Sequence, residues 1–465
     1  MVEYLPFKTS LISSFKATGY AETGDLHLNV FCPPSAGANN EPLPVMVWIH
    51  GGGFYIGGAS QFDPSALVAM ENVIVVTINY RLGAGGFLPE FETNNGIRDQ
   101  IVALEWVQEH IGDFGGDPSN VTIFGESAGG MSVDTLVHSP KAKNLFARAI
   151  GQSGSLVGCF APADTSRAND AYRSALKIGP SDSISGALQS LPLKRALNLE
   201  SRLFGAGPYG PVVDGDILPC LPEDMTPGQL QSVPYMIGRC SGEGDALLTA
   251  TIPIFLKAGL LQGFSRDIFD MVVIGCFDRM APHLLEQGDE YLERIIETYR
   301  PTSKEDAYFY SEIFCKWWGD LFLGLGPVFT ADRYSQYNET FMYEMIHKSA
   351  HSHDPEFSGK LRLKPRWSRC DHCDDTIYMF GVPFLSGKYI QGDITFTEEE
   401  INLSRSMMKS WADFARFGSP GWAQYNPQTR IRKLFGVKSE MMSEWEDQDL
   451  QTRKQLFTEM YRPHQ

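Results

Sequence analysis

A chain of 465 residues with a formal net charge of −17 is ill suited to nucleic acid or an anionic membrane as its main partner, because phosphate binding needs clustered Lys and Arg. Hydrophobic residues at 43% and charged residues at 20% allow a large buried core and exclude a disordered chain. No basic-then-apolar leader opens the sequence and no apolar run is long enough to span a bilayer, so a soluble, cytoplasmic protein is expected, its eight scattered cysteines reduced.

In chain order, residues 25–33 alternate apolar and polar before a proline, and residues 45–49 are a continuous apolar run ending at His50-Gly51-Gly52-Gly53-Phe54. Both predict strands. Residues 73–80 predict a buried strand. Residues 96–111 predict a helix, with Ile97, Ile101, Leu104, Val107 and Ile111 at helical spacing. The β-branched run 121–124 predicts the next strand, and 146–152 another. Between them lies Gly125-Glu126-Ser127-Ala128-Gly129.

Residues 161–211, rich in Ser, Pro and Gly, read as an irregular cap or pocket insertion. A short strand is expected at 234–238, then a helix at 306–321 with Ser303 as N-cap. Its aromatic stripe of Ile313, Phe314, Trp317, Trp318 and Leu321 reads as core or pocket wall rather than a cofactor box. A strand at 340–346, a helix at 398–417 and a last strand at 430–437 follow. No repeat or linker divides the chain, so residues 1–465 are expected to form one domain. Strands alternating with helices imply an α/β fold, a mostly parallel sheet with helices on both faces and right-handed crossovers.

A serine bracketed by Gly125 and Gly129 after an apolar strand suits a nucleophile elbow, a strand-to-helix turn that holds Ser127 Oγ clear of the backbone. The competing reading is a glycine-rich turn with a solvated serine. The glycine run after residue 49 suits oxyanion donors, Gly52 and Gly53 together with the N–H of Ala128, or else a flexible turn. By its own context Glu243 is a strand-end carboxylate or a solvated turn acid, and His372 lies in a polar stretch with Asp371, Cys373, Asp374 and Asp375. Cys370 and Cys373, or His347, His351 and His353, could be soft metal ligands. Neither set has paired CxxC spacing and nothing else completes a tetrahedral site, so no metal is expected.

These stretches together resemble the type-B carboxylesterase and cholinesterase family of α/β-hydrolases. The likeness is carried by LHLNVFCP (26–33), WIHGGGF (48–54), NYRLGAGGFL (79–88), FGGDPSNVTIFGESAGG (114–130), GPVVDGDILP (210–219), IGRCSGEGD (237–245), DHCDDTIYMFGVPF (371–384) and WADFARFGSPG (411–421). It implies an α/β-hydrolase fold with cap or pocket insertions. It also implies the order nucleophile, acid, base, mapping onto Ser127, Glu243 and His372, with Glu126 and Ser153 supporting the site. The implied reaction is hydrolysis of a small-molecule carboxylic ester through an acyl-enzyme, with no cofactor. A non-catalytic ligand-binding or adhesion member, or an acyltransferase with the same residues, are the alternatives.

Departures from the family pattern shape the remaining expectations. The chain starts close to the LHLNV strand, so the family's N-terminal segment is expected to be missing and the site more open. Asp25 stands where relatives commonly have a cysteine, which removes a disulfide of secreted members. No Trp precedes Trp48, so a general carboxylesterase is expected rather than a choline-binding one. Small residues at Gly205, Gly207, Ala246 and Leu247, where cholinesterases have bulky acyl-pocket aromatics, imply room for acyl groups longer than acetyl.

Overall fold

A computed structural model describes residues 26–37, 41–88, 93–157, 165–192, 195, 199, 209–245, 259–260, 262–301, 307–349, 367–385, 395–437, 440–442 and 450–461. Nine strands are defined there: β1 Leu28–Phe31, β2 Leu43–Ile49, β3 Ile74–Ile78, β4 Gly116–Glu126, β5 Arg148–Gln152, β6 Tyr235–Cys240, β7 Thr340–Met345, β8 Arg432–Phe435 and β9 Glu440–Met442. They form one sheet in the order β1-β3-β2-β4-β5-β6-β7-β8-β9. The inner neighbours from β3 to β8 are parallel, and only the outer pairs, β1 with β3 and β8 with β9, are antiparallel. This is the mostly parallel sheet predicted from the alternation of elements.

Parallel strands covered on both faces need apolar side chains at every position, which explains the continuous runs in β2 and β3. On one face Val45, Val47, Ile49, Val121 and Ile123 meet Ile97, Leu104 and Val107 of the helix Asn95–His110, with Val133, Leu136 and Val137 of the helix Ala128–His138. On the other, Met46, Trp48, Val75 and Phe124 meet Leu403, Met407, Trp411 and Phe414 of the helix Glu398–Phe417. That helix runs over the residues predicted. Thr397 Oγ1 accepts the Glu400 N–H at 3.2 Å, Glu400 Oε2 accepts the Thr397 N–H at 2.9 Å, and Gly418 ends the helix at φ 74°.

Register positions the site. Ile49 pairs with Gly125 and Glu126 with Gln152, so the glycine run leaves β2 beside the elbow that leaves β4.

Two expectations need correction. The region 161–211 is not wholly irregular: it holds the helices Thr165–Leu176 and Ile184–Gln189, the second started by Ser183 Oγ accepting the Gly186 N–H at 3.0 Å. The helix predicted at 306–321 runs Phe309–Gly319 from Tyr308, and residues Asp320–Gly324 widen into a π-turn. Ser303, the expected N-cap, lies outside the described residues. Burial of Phe314, Trp317 and Trp318 against Phe277 and Ile295 sets this helix, and the aromatic stripe is core as predicted. Among the described residues no helix is long and apolar enough to cross a membrane.

Candidate active site

β4 ends at Glu126 and the helix Ala128–His138 begins one residue later, leaving Ser127 alone in the turn at φ 59° and ψ −125°. Such a conformation strains a residue with a Cβ, and it persists because the flanking backbone is pinned. The Ser127 N–H donates to the Gln152 carbonyl at 2.8 Å and its carbonyl accepts the Met131 N–H at 2.9 Å. Gly129 is obligatory here, since a Cβ would collide with the Ile49 carbonyl oxygen of β2. Ser127 is half-buried, so its hydroxyl is held at the surface of an otherwise buried turn.

The glycine run lies directly against it. A Cβ on Gly51 would stand 2.9 Å from Ser127 Cβ. Gly52 adopts φ 113°, where its carbonyl accepts the N–H groups of Tyr55 and Ile56, and Gly53 adopts φ 62°. Buried His50 braces the run: Nδ1 stands 2.8 Å from the Gly51 carbonyl oxygen and the ring stacks on Tyr80 at 4.5 Å. Burial lowers the His50 pKa to about 4, against a smaller opposing effect of that carbonyl. This histidine is therefore a neutral structural strut at physiological pH.

Glu243 and His372 come from distant loops joined main chain to main chain. Gly242 forms a bridge with Asp371, and its N–H donates to the Cys370 carbonyl at 2.7 Å. Asp245 reinforces the junction by accepting the Arg369 N–H and pairing with its guanidinium at 3.0 Å. Glu243 Oε1 accepts the Cys240 N–H at 2.6 Å, which aims Oε2 at His372 Nδ1, 2.7 Å away. With Nδ1–H held there, Nε2 keeps the lone pair that a general base needs.

Nε2 faces Glu126 Oε1 at 3.1 Å. Among the described residues Ser127 Oγ makes no hydrogen bond, and the carboxylate of the preceding residue occupies this side of the ring. Glu126, Glu243 and His372 are 3%, 3% and 5% exposed, so their charges interact with little screening. Burial would depress the His372 pKa, but Glu126 and Glu243 outweigh it and the net shift is upward. Burial raises the Glu126 carboxyl above its ordinary range, with the His372 charge opposing.

Beneath the ring lies a polar floor that sequence reasoning missed. Buried Asp375 Oδ2 accepts from Gln152 Nε2 at 3.0 Å and Tyr343 OH at 2.7 Å, and Gln152 Oε1 accepts from Trp411 Nε1 at 3.0 Å. The only local hint was the run of acidic residues after His372. Ser153, expected to support the site, is buried at φ 49° at the end of β5, and its Oγ has no partner among the described residues. Gly205, Gly207, Ala246, Leu247 and Asp25 lie outside the described residues.

The sequence model of the Carboxylesterase family matches residues 10–462. Carboxylesterase 1C of Rattus norvegicus is 36% identical over 416 residues, covering 86% of this chain and 71% of that protein. The medium-chain fatty acyl-CoA hydrolase precursor of Anas platyrhynchos is 33% identical over 462 residues, covering 94% and 78%. Liver carboxylesterase of Sus scrofa is 35% identical over 435 residues, covering 87% and 72%. A match along nearly the whole chain, to relatives that all cleave acyl bonds by name, places this chain in the carboxylesterase family of α/β-hydrolases, as a carboxylic ester hydrolase.

Proposed function

We propose that ester cleavage proceeds through an acyl-enzyme on Ser127, with His372 as general base and acid and Glu243 as the carboxylate that orients it. The supporting observation is the 2.7 Å contact between Glu243 Oε2 and His372 Nδ1 on a loop pair that turns Nε2 toward the elbow side of the sheet, next to Glu126. Ser127 Oγ attacks the ester carbonyl while Nε2 takes its proton. The same proton then goes to the leaving alcohol, and water reverses the sequence to release the acid. The N–H groups of Gly52, Gly53 and Ala128 receive the developing oxyanion. Among the described residues neither Gly52 nor Gly53 spends its N–H on a backbone carbonyl, and Ala128 opens a helix whose first amides lack intrahelical partners. In this mechanism Nε2 exchanges its contact with the Glu126 carboxylate for the Ser127 hydroxyl.

Covalent labelling with an organophosphonate followed by peptide mapping tests the nucleophile, which should be Ser127. Ser127→Ala and His372→Ala should each lower p-nitrophenyl butyrate turnover on the order of 10³-fold or more, with Glu243→Gln milder. Labelling at another serine, or near-normal turnover by His372→Ala, would require reassignment. The small residues at 205–207 and 246–247, and the medium-chain name of the duck relative, support an acyl group longer than acetyl. kcat/KM should therefore rise from acetate to butyrate, by roughly 0.8 kcal/mol per methylene that gains apolar wall.

A further inference from the structure

Cys373 is a residue the proposed mechanism does not use. It follows His372 at φ 68°, a left-handed conformation that suits glycine, yet it bears a side chain that is 5% exposed. That side chain points at the catalytic groups: Cys373 Sγ lies 2.8 Å from Glu126 Oε1, the oxygen that stands 3.1 Å from His372 Nε2. The three donor atoms all lie within 4.8 Å of one another.

We infer that Glu126 Oε1, His372 Nε2 and Cys373 Sγ form a site for one thiophilic divalent cation of the zinc or cadmium type, which switches the esterase off reversibly. Bonds from zinc to sulfur, imidazole nitrogen and carboxylate oxygen are about 2.0–2.3 Å, so tetrahedral ligands stand a little over 3 Å apart; here Oε1 is 3.1 Å from Nε2 and 2.8 Å from Sγ, and the remaining pair lies within 4.8 Å. A carboxylate, a neutral imidazole and a thiolate also balance a dication, as burial demands. The outer contact is in place: Glu243 accepts Nδ1–H at 2.7 Å, fixing the tautomer whose Nε2 coordinates a metal. Binding displaces the Cys373 thiol proton to solvent, so affinity falls on acidification. The sequence reading weighed Cys370 with Cys373 as a ligand pair. The fold instead joins Cys373 to Glu126, 247 positions away, while Cys370 lies against Cys240.

Metal occupancy is independent of the catalytic assignment, whereas inhibition rests on His372 being the base, and the test separates the two. Cadmium is titrated into the whole protein, with binding followed by calorimetry and by the ultraviolet thiolate-to-cadmium absorption, and ester turnover is measured with and without the ion. The wild type should take up one Cd²⁺ per chain with that absorption and lose turnover on the order of 10²-fold or more, the effect of disabling a general base, with recovery on adding EDTA. Cys373→Gly, whose backbone conformation glycine accepts, should bind at least about 100-fold more weakly, and its ratio of rates with and without cadmium should approach one. That ratio is independent of any change in the basal rate. Glu126→Gln should also weaken binding. Absence of stoichiometric binding to the wild type, or equal binding by Cys373→Gly through the Cys240 and Cys370 thiols, overturns the site. Binding with the thiolate absorption but undiminished turnover leaves the metal site standing and removes His372 as the base.

Discussion

Glu126 decides the electrostatics of the base. Its carboxylate 3.1 Å from Nε2 favours the imidazolium, and His372 has to be neutral to accept a proton. kcat/KM on a neutral ester should therefore rise with pH through an apparent pKa above the ordinary histidine value. Replacing the carboxylate by an amide removes the main attraction that holds the ring protonated, so Glu126→Gln should move this acid limb to lower pH. A pH profile of both proteins checks it, and coincident limbs would sink the idea. Ser127 stands out in the sequence by its own strand-and-glycine context, whereas Glu243 and His372 are singled out only by the family resemblance, since a lone turn carboxylate and a histidine among acids carry no distinctive local pattern. The resemblance also names Glu126 as a supporting residue, but its contact with Cys373 was not legible, because it spans 247 positions and no local pattern encodes it.

Elements were legible where one local signal dominated. The helix Glu398–Phe417 combines a capping box, a terminal glycine and a continuous apolar face, and the sequence bounds coincide with the observed ones. Thr397→Ala should cost about 1 kcal/mol of stability, the usual loss for such a cap, and urea unfolding measures it. The strand β9 and the helices Arg266–Met280, Gly288–Thr298 and Leu450–Tyr461 were not foreseen. The three-residue β9 is too short to show an alternation, and the helices bury aromatic and aliphatic residues against one another far along the chain, a packing that periodicity alone does not reveal. The helix Phe309–Gly319 starts later than predicted, with no side-chain cap at Tyr308, and is held by burial of its aromatic residues.

On the scale of the whole molecule, an ion network ties the C-terminal half together. Glu344 on β7 meets Arg239 of β6 at 2.9 Å and Arg432 of β8 at 2.8 Å, and Asp320 of the π-turn meets Arg453 of the helix Leu450–Tyr461. Burial alone would raise the Glu344 pKa, but Arg239 and Arg432 outweigh it and hold the carboxyl below its ordinary range, at about 2. A carboxyl depressed on folding contributes stability that is present above its unfolded pKa and lost as pH falls through the folded one. Stability should drop between about pH 4.5 and 2, by on the order of 3 kcal/mol from this group. Unfolding free energy measured against pH should show a component that Glu344→Gln lacks. The sheet and its two covered faces were readable from the apolar runs, whereas this network was not, because charged residues inside strands read as solvent-facing until their partners are known.

The bridge between Gly242 and Asp371 gives the acid and the base a common fate. Glu243 leaves β6 and His372 leaves a loop more than a hundred residues later, yet a fluctuation that detaches one main chain withdraws the hydrogen-bond partner of the other. Native-state hydrogen exchange should show the amides of Gly242 and Cys240 opening together with that of His372, as one cooperative unit with a smaller opening free energy than the central strands. Heating would then silence the enzyme by parting these two loops while β2, β3 and β4 are still paired, so that inactivation precedes the loss of secondary structure.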